Sequence, residues 1–374
     1  MDSQQAKRSV EIAGVTISDA DECYVIAEIG HNHQGSLERA LELVKEAKRC
    51  GAHAVKLQKR DNRGLYTREA YERPYENENS YGPTYGAHRE ALEFEQAEYQ
   101  ELKACCEELG IAFFATAFDF ASADFLAELD MPAYKIASGD LTNTPLLRYV
   151  AGIGKPVIFS TGGGTFDDVR RAYDTIAEAN DQVVVLQCTA GYPAAWEELD
   201  LNVIRTYREF FPDAVVGFSS HDNGIAMAVA SYVLGARVIE KHFTSNRALK
   251  GTDHVFSLEP QGLSKMVRDL QRTRLAIGDG EKKMYPSEVS PVTKMSKKLV
   301  ATRDLPSGHV LEREDVALKS PGDGLPAYEL DRVVGRTLRH PVVEDTPFTW
   351  EHFDELLLDR ADGFELTHAR GDDR

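Results

Sequence analysis

Eight short apolar runs recur along the chain, and each of them ends in polar residues. They begin at Tyr24, Ala54, Ala112, Ala133, Pro156, Val183, Ala214 and Arg237. Buried parallel strands have this continuously apolar pattern because helices cover both faces of their sheet. Helical stretches separate the runs, and eight alternating strand–helix units predict a closed (β/α)8 barrel, an α/β fold, rather than an open sheet.

Two of the helical stretches are marked clearly. Ser36 is a suitable N-cap for a helix that extends to about Arg49, and Gly51 follows as a stop signal. The sequence GIAMAVASYVLGA, which begins at Gly224, predicts a largely apolar and well-buried helix.

The C-terminal ends of the strands form the rim that carries the active site of such a barrel. Ser and Thr at strand ends are also ordinary turn formers. Turn formation does not explain Lys56, Lys135 and His242, which stand among apolar neighbours. The residues predicted to lie at the rim are Glu28, His31, Lys56, Gln58, Thr116, Lys135, Ser138, Asp140, Ser160, Thr161, Gln187, Thr189, Ser219, His221, Glu240 and His242.

Two further segments complete the predicted organisation. The connection between Gln58 and Glu90 is long, aromatic and polar, which predicts a substrate-covering loop on the rim. We expect the barrel in residues 1–281, a linker with two prolines in 282–298, a small domain in 299–355 and a charged tail in 356–374. The small domain is indicated by short strand patterns and by Gly- and Pro-rich turns.

Composition excludes several classes of function. The chain has 374 residues with 43 Lys and Arg against 61 Asp and Glu, a net charge of −18. This excess argues against binding to nucleic acid or to an anionic membrane. The sequence shows neither an apolar run long enough for a membrane span nor a signal-peptide pattern, so we expect a cytoplasmic protein.

The five cysteines indicate neither a zinc site nor a disulfide framework, because their number is odd and no CxxC spacing occurs. Cys188 stands at a strand end and is a possible nucleophile, but it is interpreted more readily as a small buried hydrophobic residue.

The rim contains two kinds of chemistry. His221 and His242 end consecutive strands, so two imidazoles can meet at a site for Mn²⁺ or a similar divalent ion, or they are structural histidines. Lys56 and Lys135 point to an anionic, phosphorylated substrate. The hydroxyl donors beside them are Ser138, Ser160, Thr161 and Ser219. A Schiff-base lysine is the competing interpretation, although it does not explain the histidines.

A family resemblance rests on several spaced motifs. They are AEIGHNHQG (27–35), VKLQK (55–59), YKIASGD (134–140), STGG (160–163), CTAGYP (188–193), SSHD (219–222), EKHFT (240–244) and KGTDH (250–254). In these motifs the chain resembles the sialic acid synthase family, which condenses phosphoenolpyruvate with N-acylated mannosamines or their 6-phosphates. Its C-terminal segment resembles the antifreeze-like SAF domain, and residues 72–94 are similar to the animal form, which uses the 6-phosphate.

The resemblance implies a role for each matching residue. His221 and His242 would hold a divalent metal, Mn²⁺ or else Mg²⁺ or Co²⁺. Glu28, Lys56, Lys135 and Asp140 would be catalytic. The residues implied to bind phosphoenolpyruvate or the sugar are Gln58, Thr116, Ser138, Ser160, Ser219, Tyr192 and Asp253. The resemblance also implies a domain-swapped homodimer, in which the segment around Lys319 and Ser320 faces the partner's rim near Tyr192.

Three positions depart from the bacterial pattern of the family. Asp140 stands where Glu is common, Ala190 where Asn contacts a phosphate, and Ser320 where Arg reaches the sugar. Two other functions stay open beside the synthase of sialic or related nonulosonic acids. One is a phosphoenolpyruvate-dependent enzyme that makes a seven- or eight-carbon keto acid. The other is a non-catalytic carbohydrate-binding protein.

Overall fold

The computed structural model describes residues 8–353. Contacts divide the chain into two compact units, Met1–Asp279 and Gly280–Arg374. The first unit opens with an antiparallel hairpin of β1 (Ser9–Ile12) and β2 (Val15–Ser18). The apolar runs did not predict this hairpin, because its two strands bury only three large apolar side chains between them.

The eight apolar runs all form strands of one closed parallel barrel, as predicted. The strands are β3 (Tyr24–Glu28), β4 (Ala54–Lys59), β5 (Ala112–Ala117), β6 (Tyr134–Ile136), β7 (Val157–Ser160), β8 (Val183–Cys188), β9 (Val215–Ser220) and β10 (Val238–His242). Each strand pairs with its neighbours in sequence, and β10 closes the barrel against β3. The rim residues therefore converge at one end.

Helices surround the barrel. They are α1 (Leu37–Arg49), α2 (Asn62–Leu65), α3 (Arg68–Glu72), α4 (Tyr85–Glu90), α5 (Gln96–Leu109), α6 (Phe120–Glu128), α7 (Thr144–Gly152), α8 (Phe166–Ala177), α9 (Val203–Phe210), α10 (Ala226–Val233) and α11 (Pro260–Ile277). The Ser36 side chain accepts a hydrogen bond from the backbone N–H of Arg39, which confirms the predicted cap of α1. Within residues 8–353, no helix combines the length and the apolar character that crossing a bilayer requires.

Two apolar cores hold the barrel. One lies between the strands and the helices. The other fills the barrel interior, where Ile26, Phe114 and Val184 pack with Val10, Ile12 and Ile17 of the hairpin. The hairpin thus closes the end of the barrel away from the rim.

The long connection after β4 is not a plain loop. It contains α2, α3 and α4, and Tyr75 and Tyr81 pack against the ring of His88. The Tyr81 hydroxyl donates a 2.6 Å hydrogen bond to the carbonyl oxygen of Lys250, which ties the segment to the loop after β10. These helices are too short for a periodic apolar pattern, so the sequence predicted a loop there.

The second unit has its own small core. Its strands β11 (Lys298–Ala301) and β12 (Val316–Lys319) are antiparallel, and they bury Leu299 and Val316 together with Val333 of α13 (Leu330–Val333). The expected linker at 282–298 contains a further helix, α12 (Pro286–Met295). None of the residues of α12 is buried, which explains why its sequence lacks an apolar period. Pro286 stands in the first turn, where proline is tolerated.

Candidate active site

The C-terminal rim of the barrel opens into a pocket of about 450 Å³. All the predicted site residues except Asp140 line it. They are Glu28, Lys56, Gln58, Thr116, Lys135, Ser138, Ser160, Tyr192, Ser219, His221, His242 and Asp253. The strand register explains this convergence, since Glu28 is paired with Lys56, Gln58 with Thr116, and Thr116 with Lys135 on neighbouring strands.

Two lysines and two glutamates form a buried charge network at the base of the pocket. Lys56 Nζ lies 2.6 Å from Glu28 Oε2 and 3.8 Å from Glu240 Oε1, and Lys135 Nζ lies 3.6 Å from the same Glu240 atom. Burial lowers the pKa of Lys135. Burial alone would raise the pKa of Glu240, but Lys135 and Lys56 hold it below its usual value. The network therefore keeps two ammonium groups in place beneath the pocket.

Glu28 differs from Glu240 in its surroundings. Burial and the nearby Glu240 carboxylate raise the pKa of Glu28, although Lys56 opposes the change. Gln58 Nε2 donates a 2.6 Å hydrogen bond to Glu28 Oε1. Gly30 has φ +51°, and a Cβ there would stand 3.0 Å from Glu28 Oε1 and 3.2 Å from Gln58 Nε2, so a glycine leaves room for this pair.

Hydroxyl groups complete the base of the pocket. Thr116 Oγ1 accepts a 2.9 Å hydrogen bond from Lys56 Nζ, and Ser138 Oγ accepts one of 3.0 Å from the backbone N–H of Gly162. Ser219 Oγ donates to Glu240 Oε1 at 3.3 Å. The buried Ser160 Oγ makes no hydrogen bond to the described residues. A ligand with several acceptor oxygens would satisfy these groups.

The two rim histidines lie side by side, with ring centroids 5.4 Å apart. Burial and the neighbouring His242 lower the pKa of His221 to about 4, and burial lowers that of His242, so both rings are neutral near pH 7. His221 Nδ1 lies 3.0 Å from the carbonyl oxygen of Thr189 and so carries the proton, which leaves its Nε2 lone pair free. His242 Nδ1 is buried without a hydrogen-bond partner, 3.6 Å from Asp253 Oδ2.

This donor set fits an open divalent metal site. Two neutral imidazoles with available lone pairs can bind Mn²⁺ or a similar ion while other positions stay open for oxygen ligands. Among residues 8–353 no group of three or more His, Cys, Asp or Glu side chains is arranged to hold a metal alone. Substrate or water oxygens would therefore have to complete the coordination.

Tyr192 and Asp253 lie beside the histidines. The Tyr192 ring stands 4.1 Å from that of His221, centroid to centroid, and it is 59% exposed, so it is free to contact a ligand. The negative charge of Asp253 lies close to His242 and Arg89. Although burial alone would raise its pKa, these neighbours lower it.

Asp140 is the one predicted site residue that does not line the pocket. The chain enters a 3₁₀ turn at Ser138–Asp140, which presents Ser138 and Gly139 to the pocket. The Asp140 carboxylate instead accepts a 3.0 Å hydrogen bond from Asn143 Nδ2, and burial raises its pKa. The Asp140 side chain therefore stands outside the lining of this pocket, and its catalytic role stays a prediction.

Several pocket residues were missed at the sequence level. Glu240 was placed on the rim but given no role, although it holds both lysines. Arg60 and Arg89 come from the long connection, where the sequence offered only their positive charge and the position of Arg60 directly after β4. The Cys188 thiol also lines the pocket. Its burial raises its pKa, which disfavours the nucleophile interpretation.

A closed parallel barrel whose rim gathers lysines, hydroxyls and two neutral histidines defines a barrel enzyme for anionic substrates. The NeuB family model matches residues 43–282, and the SAF domain model matches residues 298–354. The chain belongs to the NeuB family. It is a phosphoenolpyruvate-dependent enzyme of the N-acylneuraminate synthase type that forms carbon–carbon bonds.

Characterised relatives agree with this membership. The chain is 39% identical to the human N-acetylneuraminate-9-phosphate synthase over 324 residues, 86% of this chain and 90% of that protein. It is 35% identical to the N,N′-diacetyllegionaminic acid synthase of Legionella pneumophila, covering 89% of this chain and 95% of that protein. A pseudaminic acid synthase of Campylobacter jejuni is 31% identical over 84% of this chain and 91% of that protein.

Solved structures support the fold. The N-acetylneuraminic acid synthetase of Leptospira borgpetersenii, in complex with citrate, aligns with a TM-score of 0.67 at 28% identity, over 78% of this chain and 97% of that chain. A truncated 3-deoxy-D-arabino-heptulosonate 7-phosphate synthase of Thermotoga maritima aligns with a TM-score of 0.57 at 15% identity, over 74% and 95%. The second likeness concerns the fold alone.

Proposed function

We propose that this enzyme condenses phosphoenolpyruvate with N-acetylmannosamine or its 6-phosphate and releases inorganic phosphate, as a sialic acid synthase. The observation that carries the proposal is the pair of buried lysines, Lys56 and Lys135, beside two neutral histidines in one pocket. The lysines suit a small substrate with two anionic groups, and the histidines suit the activation of a carbonyl. A legionaminic or pseudaminic acid synthase is the second candidate, favoured by the relatives of those names.

The residues at the base of the pocket would bind phosphoenolpyruvate. Lys56 and Lys135 pair with its carboxylate and phosphate, and the Ser and Thr hydroxyls donate to the remaining oxygens. Glu28 and Glu240 hold the ammonium groups in position before the substrate arrives, so little reorganisation is needed on binding.

Carbon–carbon bond formation follows from this arrangement. C3 of phosphoenolpyruvate bonds to the aldehyde carbon of the open-chain sugar, positive charge develops at C2, and water adds there. The C2–O bond to phosphate then breaks, which gives a nine-carbon 2-keto acid and inorganic phosphate. A divalent metal held by His221 and His242 would supply a Lewis acid for the aldehyde oxygen.

Proton transfer is assigned to Glu28. Its raised pKa allows its carboxyl to exchange a proton closer to neutral pH than an ordinary glutamate, and Lys56 and Gln58 fix its orientation. Tyr192 and Asp253 would contact the sugar from the mouth of the pocket. Asp140 stays a predicted catalytic residue, and in this arrangement it would act only through other groups.

An acceptor panel tests the proposed function. Purified enzyme is incubated with phosphoenolpyruvate, Mn²⁺ and, in turn, N-acetylmannosamine, its 6-phosphate, a diacetylated deoxy-mannosamine, a pentose phosphate and a tetrose phosphate. We expect phosphate release and a nine-carbon product with a mannosamine. Release only with the pentose or tetrose phosphate would show instead an enzyme that makes an eight- or seven-carbon acid.

The assembly is part of the same proposal. We infer a cytoplasmic homodimer in which the turn around Lys319 and Ser320 of one chain caps the pocket of its partner near Tyr192. Support comes from the family resemblance, which implies such a dimer, and from the small size of the second core. Sedimentation should give twice 41.6 kDa. A chain ending at Met284 should keep phosphoenolpyruvate binding and lose sugar affinity. A fully active monomer would contradict the assembly.

A further inference from the structure

A buried ion pair lies behind the two rim histidines. Lys241 Nζ stands 3.0 Å from Asp222 Oδ1, and the two side chains are 1% and 2% exposed. The same ammonium group donates a 2.7 Å hydrogen bond to the backbone carbonyl oxygen of Asp222 and one of 3.2 Å to Ser220 Oγ. The Ser220 hydroxyl in turn donates to the Asp222 carboxylate. All three N–H donors of the lysine are therefore in use.

The pair is next to the histidines in the sequence but faces away from the pocket. Asp222 directly follows His221, and Lys241 directly precedes His242. Successive side chains of a strand point to opposite faces, so Lys241 points away from the pocket that His242 lines. Neither Lys241 nor Asp222 is among the residues that line this pocket. The pair therefore does not touch a ligand bound there and can act on it only through its neighbours.

The strand face on which Lys241 stands is otherwise apolar. Ile239 and Phe243, two positions before and after it, belong to the core between the strands and the helices. Burial of a charge in such a layer is costly, and well-packed apolar residues in place of a buried ion pair often leave a protein equally stable or more stable. Stability alone is therefore a poor reason for a lysine at this position.

Lys241 links two segments of the chain at the point where strand pairing ends. The pairing of β9 with β10 ends at Ser220 and Lys241, one residue before each histidine. The hydrogen bond from Lys241 Nζ to the carbonyl oxygen of Asp222 extends the connection past His221. It therefore ties the backbone that carries one imidazole to the strand that carries the other.

Among the described residues, hydrogen bonds restrain the ring of only one of these histidines. His221 Nδ1 lies 3.0 Å from the carbonyl oxygen of Thr189, whereas His242 Nδ1 is buried without a hydrogen-bond partner. Histidines that bind a metal usually donate the N–H of their second nitrogen to an oxygen, which fixes the ring. The placement of the His242 ring therefore depends more strongly on the position of its backbone.

We infer that the Lys241–Asp222 pair is a positioning device that sets the spacing of the two rim histidines for a divalent metal. The inference rests on the metal role that the proposed function gives to these histidines. It adds two residues that act on the metal site without touching metal or substrate. Loss of the pair would leave both imidazoles present but no longer held at one spacing.

A double variant tests the inference, because removal of one partner alone would leave an uncompensated buried charge. Lys241→Met/Asp222→Asn removes both charges and nearly keeps the side-chain volumes. Titration by electron paramagnetic resonance should show an Mn²⁺ affinity about tenfold to a hundredfold below that of the wild type, the usual effect of a substitution next to metal ligands. At saturating Mn²⁺ the KM for phosphoenolpyruvate should be nearly unchanged, whereas kcat should be lower. Unchanged Mn²⁺ affinity in the folded double variant would overturn the inference.

Ser220→Ala is the milder variant for the case in which the double variant does not fold. It keeps both charges and removes one hydroxyl that contacts Lys241 and Asp222. Its Mn²⁺ affinity should fall by about twofold to tenfold, the worth of one neutral hydrogen bond. In that case, equal Mn²⁺ affinities of Ser220→Ala and the wild type would decide against the inference.

Lys59→Met/Glu93→Gln is the matched control. Lys59 Nζ lies 3.2 Å from Glu93 Oε1, and the side chains are 8% and 7% exposed, so this variant also loses a buried ion pair. The pair joins β4 to the segment before α5 and not to the strands of the histidines. Its Mn²⁺ affinity should equal that of the wild type, whatever its Tm. A loss of affinity as large as in the first double variant would show a general effect of buried charge and would overturn the inference.

The Mn²⁺ titration also separates this inference from the proposed function. If the wild type converts no mannosamine but the difference in Mn²⁺ affinity holds, the proposed function fails and the inference stands. If the wild type is active and the affinities are equal, the inference fails and the proposed function stands. A wild type that binds no Mn²⁺ would overturn the inference together with the metal step of the proposed function.

Discussion

At the scale of single residues, the charge network beneath the pocket dominates. Lys56 and Lys135 are both buried, and each has a carboxylate within 4 Å. Removing one member leaves a buried charge uncompensated, which costs more than the loss of one contact. The substitution of a lysine should therefore weaken the binding of the substrate that this lysine contacts.

Lys135→Ala should raise the KM for phosphoenolpyruvate by at least about tenfold, because a charge-assisted contact is worth about 1.5–3 kcal/mol, and leave the KM for the sugar nearly unchanged. Steady-state kinetics with each substrate varied in turn will measure both constants. Lys155→Ala is the control, since the Lys155 side chain is 40% exposed and is paired with Asp130. Unchanged kinetics with phosphoenolpyruvate would show that the base of the pocket was assigned to the wrong ligand.

His242→Ala should lose most of its Mn²⁺ affinity and most of its turnover, because an open site with two protein ligands then keeps only one. Titration of bound Mn²⁺ by electron paramagnetic resonance reports the affinity. Chelator treatment followed by addition of Mn²⁺, Mg²⁺ or Co²⁺ reports the activity. The exposed His340 gives the control, His340→Ala. A His242→Ala enzyme that is fully active without metal would remove the histidine pair from the mechanism.

At the scale of elements, each barrel strand was predictable, because eight apolar runs of strand length that alternate with helical stretches are typical of a parallel barrel. The strand ends also gave most of the site, since parallel strands place their C-terminal residues on one rim. The hairpin β1–β2, the helices α2–α4 and α12 were not predictable. They bury few apolar side chains or are too short for a period, so their contacts arise only once the barrel exists.

The sequence did not predict the geometry of the site beyond the strand ends either. The 3₁₀ turn after β6 directs Ser138 into the pocket and Asp140 away from it, although only Gly139 lies between these two residues in the sequence. Arg60 and Arg89 are 29 positions apart, and only the folded connection brings both to His31. Such long-range contacts leave no local pattern in a single sequence.

A close backbone approach positions the helix that carries Arg89. Gly35, with φ +74°, precedes α1, and a Cβ there would stand 2.3 Å from the carbonyl oxygen of Ala91, just after α4. Gly14 has φ +77° but no atom within 4 Å of the same position. The two glycines therefore share the conformational cost of a left-handed backbone and differ in crowding.

Gly35→Ala should destabilise the protein by about 1–3 kcal/mol more than Gly14→Ala, the usual range for overpacking. In calorimetry this difference lowers the Tm by about 2–4 °C for each kcal/mol. The sugar KM should also rise in Gly35→Ala, because α4 must move. Equal Tm values for the two variants would show that Ala91 yields easily and that the contact does not hold α4.

At the scale of the whole molecule, the acidic chain gathers basic side chains in its pocket. The chain carries a net charge of −18, yet four cationic side chains line the pocket beside three acidic ones; they are Lys56, Lys135, Arg60 and Arg89 beside Glu28, Glu240 and Asp253. Cationic groups recessed in a pocket of an acidic protein can meet small anions, whereas the acidic surface repels large polyanions such as nucleic acid.

Buried histidines outside the site predict how stability depends on pH. Burial lowers the pKa of His33 to about 3 and that of His254 to about 4, against 6.5 in the unfolded reference. Both are neutral in the folded protein, so between pH 6.5 and 4 the unfolded chain binds more protons. Their contribution to stability is complete above pH 6.5 and is lost as pH falls, by up to about 1.4 kcal/mol per pH unit for each histidine.

His33→Gln should therefore show a shallower fall of Tm between pH 6.5 and 4 than the wild type, even if its Tm is lower throughout. His340→Gln, at an exposed position, should follow the wild-type slope. The comparison of slopes cancels the effect of the acidic surface, which is common to all three proteins. Identical slopes for His33→Gln and the wild type would contradict the role of the buried ring.

The most direct test of the central claim follows one oxygen atom. Phosphoenolpyruvate that carries ¹⁸O as the oxygen between C2 and phosphorus is reacted with N-acetylmannosamine 6-phosphate. Mass spectrometry then measures the masses of both products. The label should leave in inorganic phosphate, and the other product should be a nine-carbon keto acid phosphate. Label retained in the keto acid, or no carbon–carbon bond formation with any mannosamine, would contradict it.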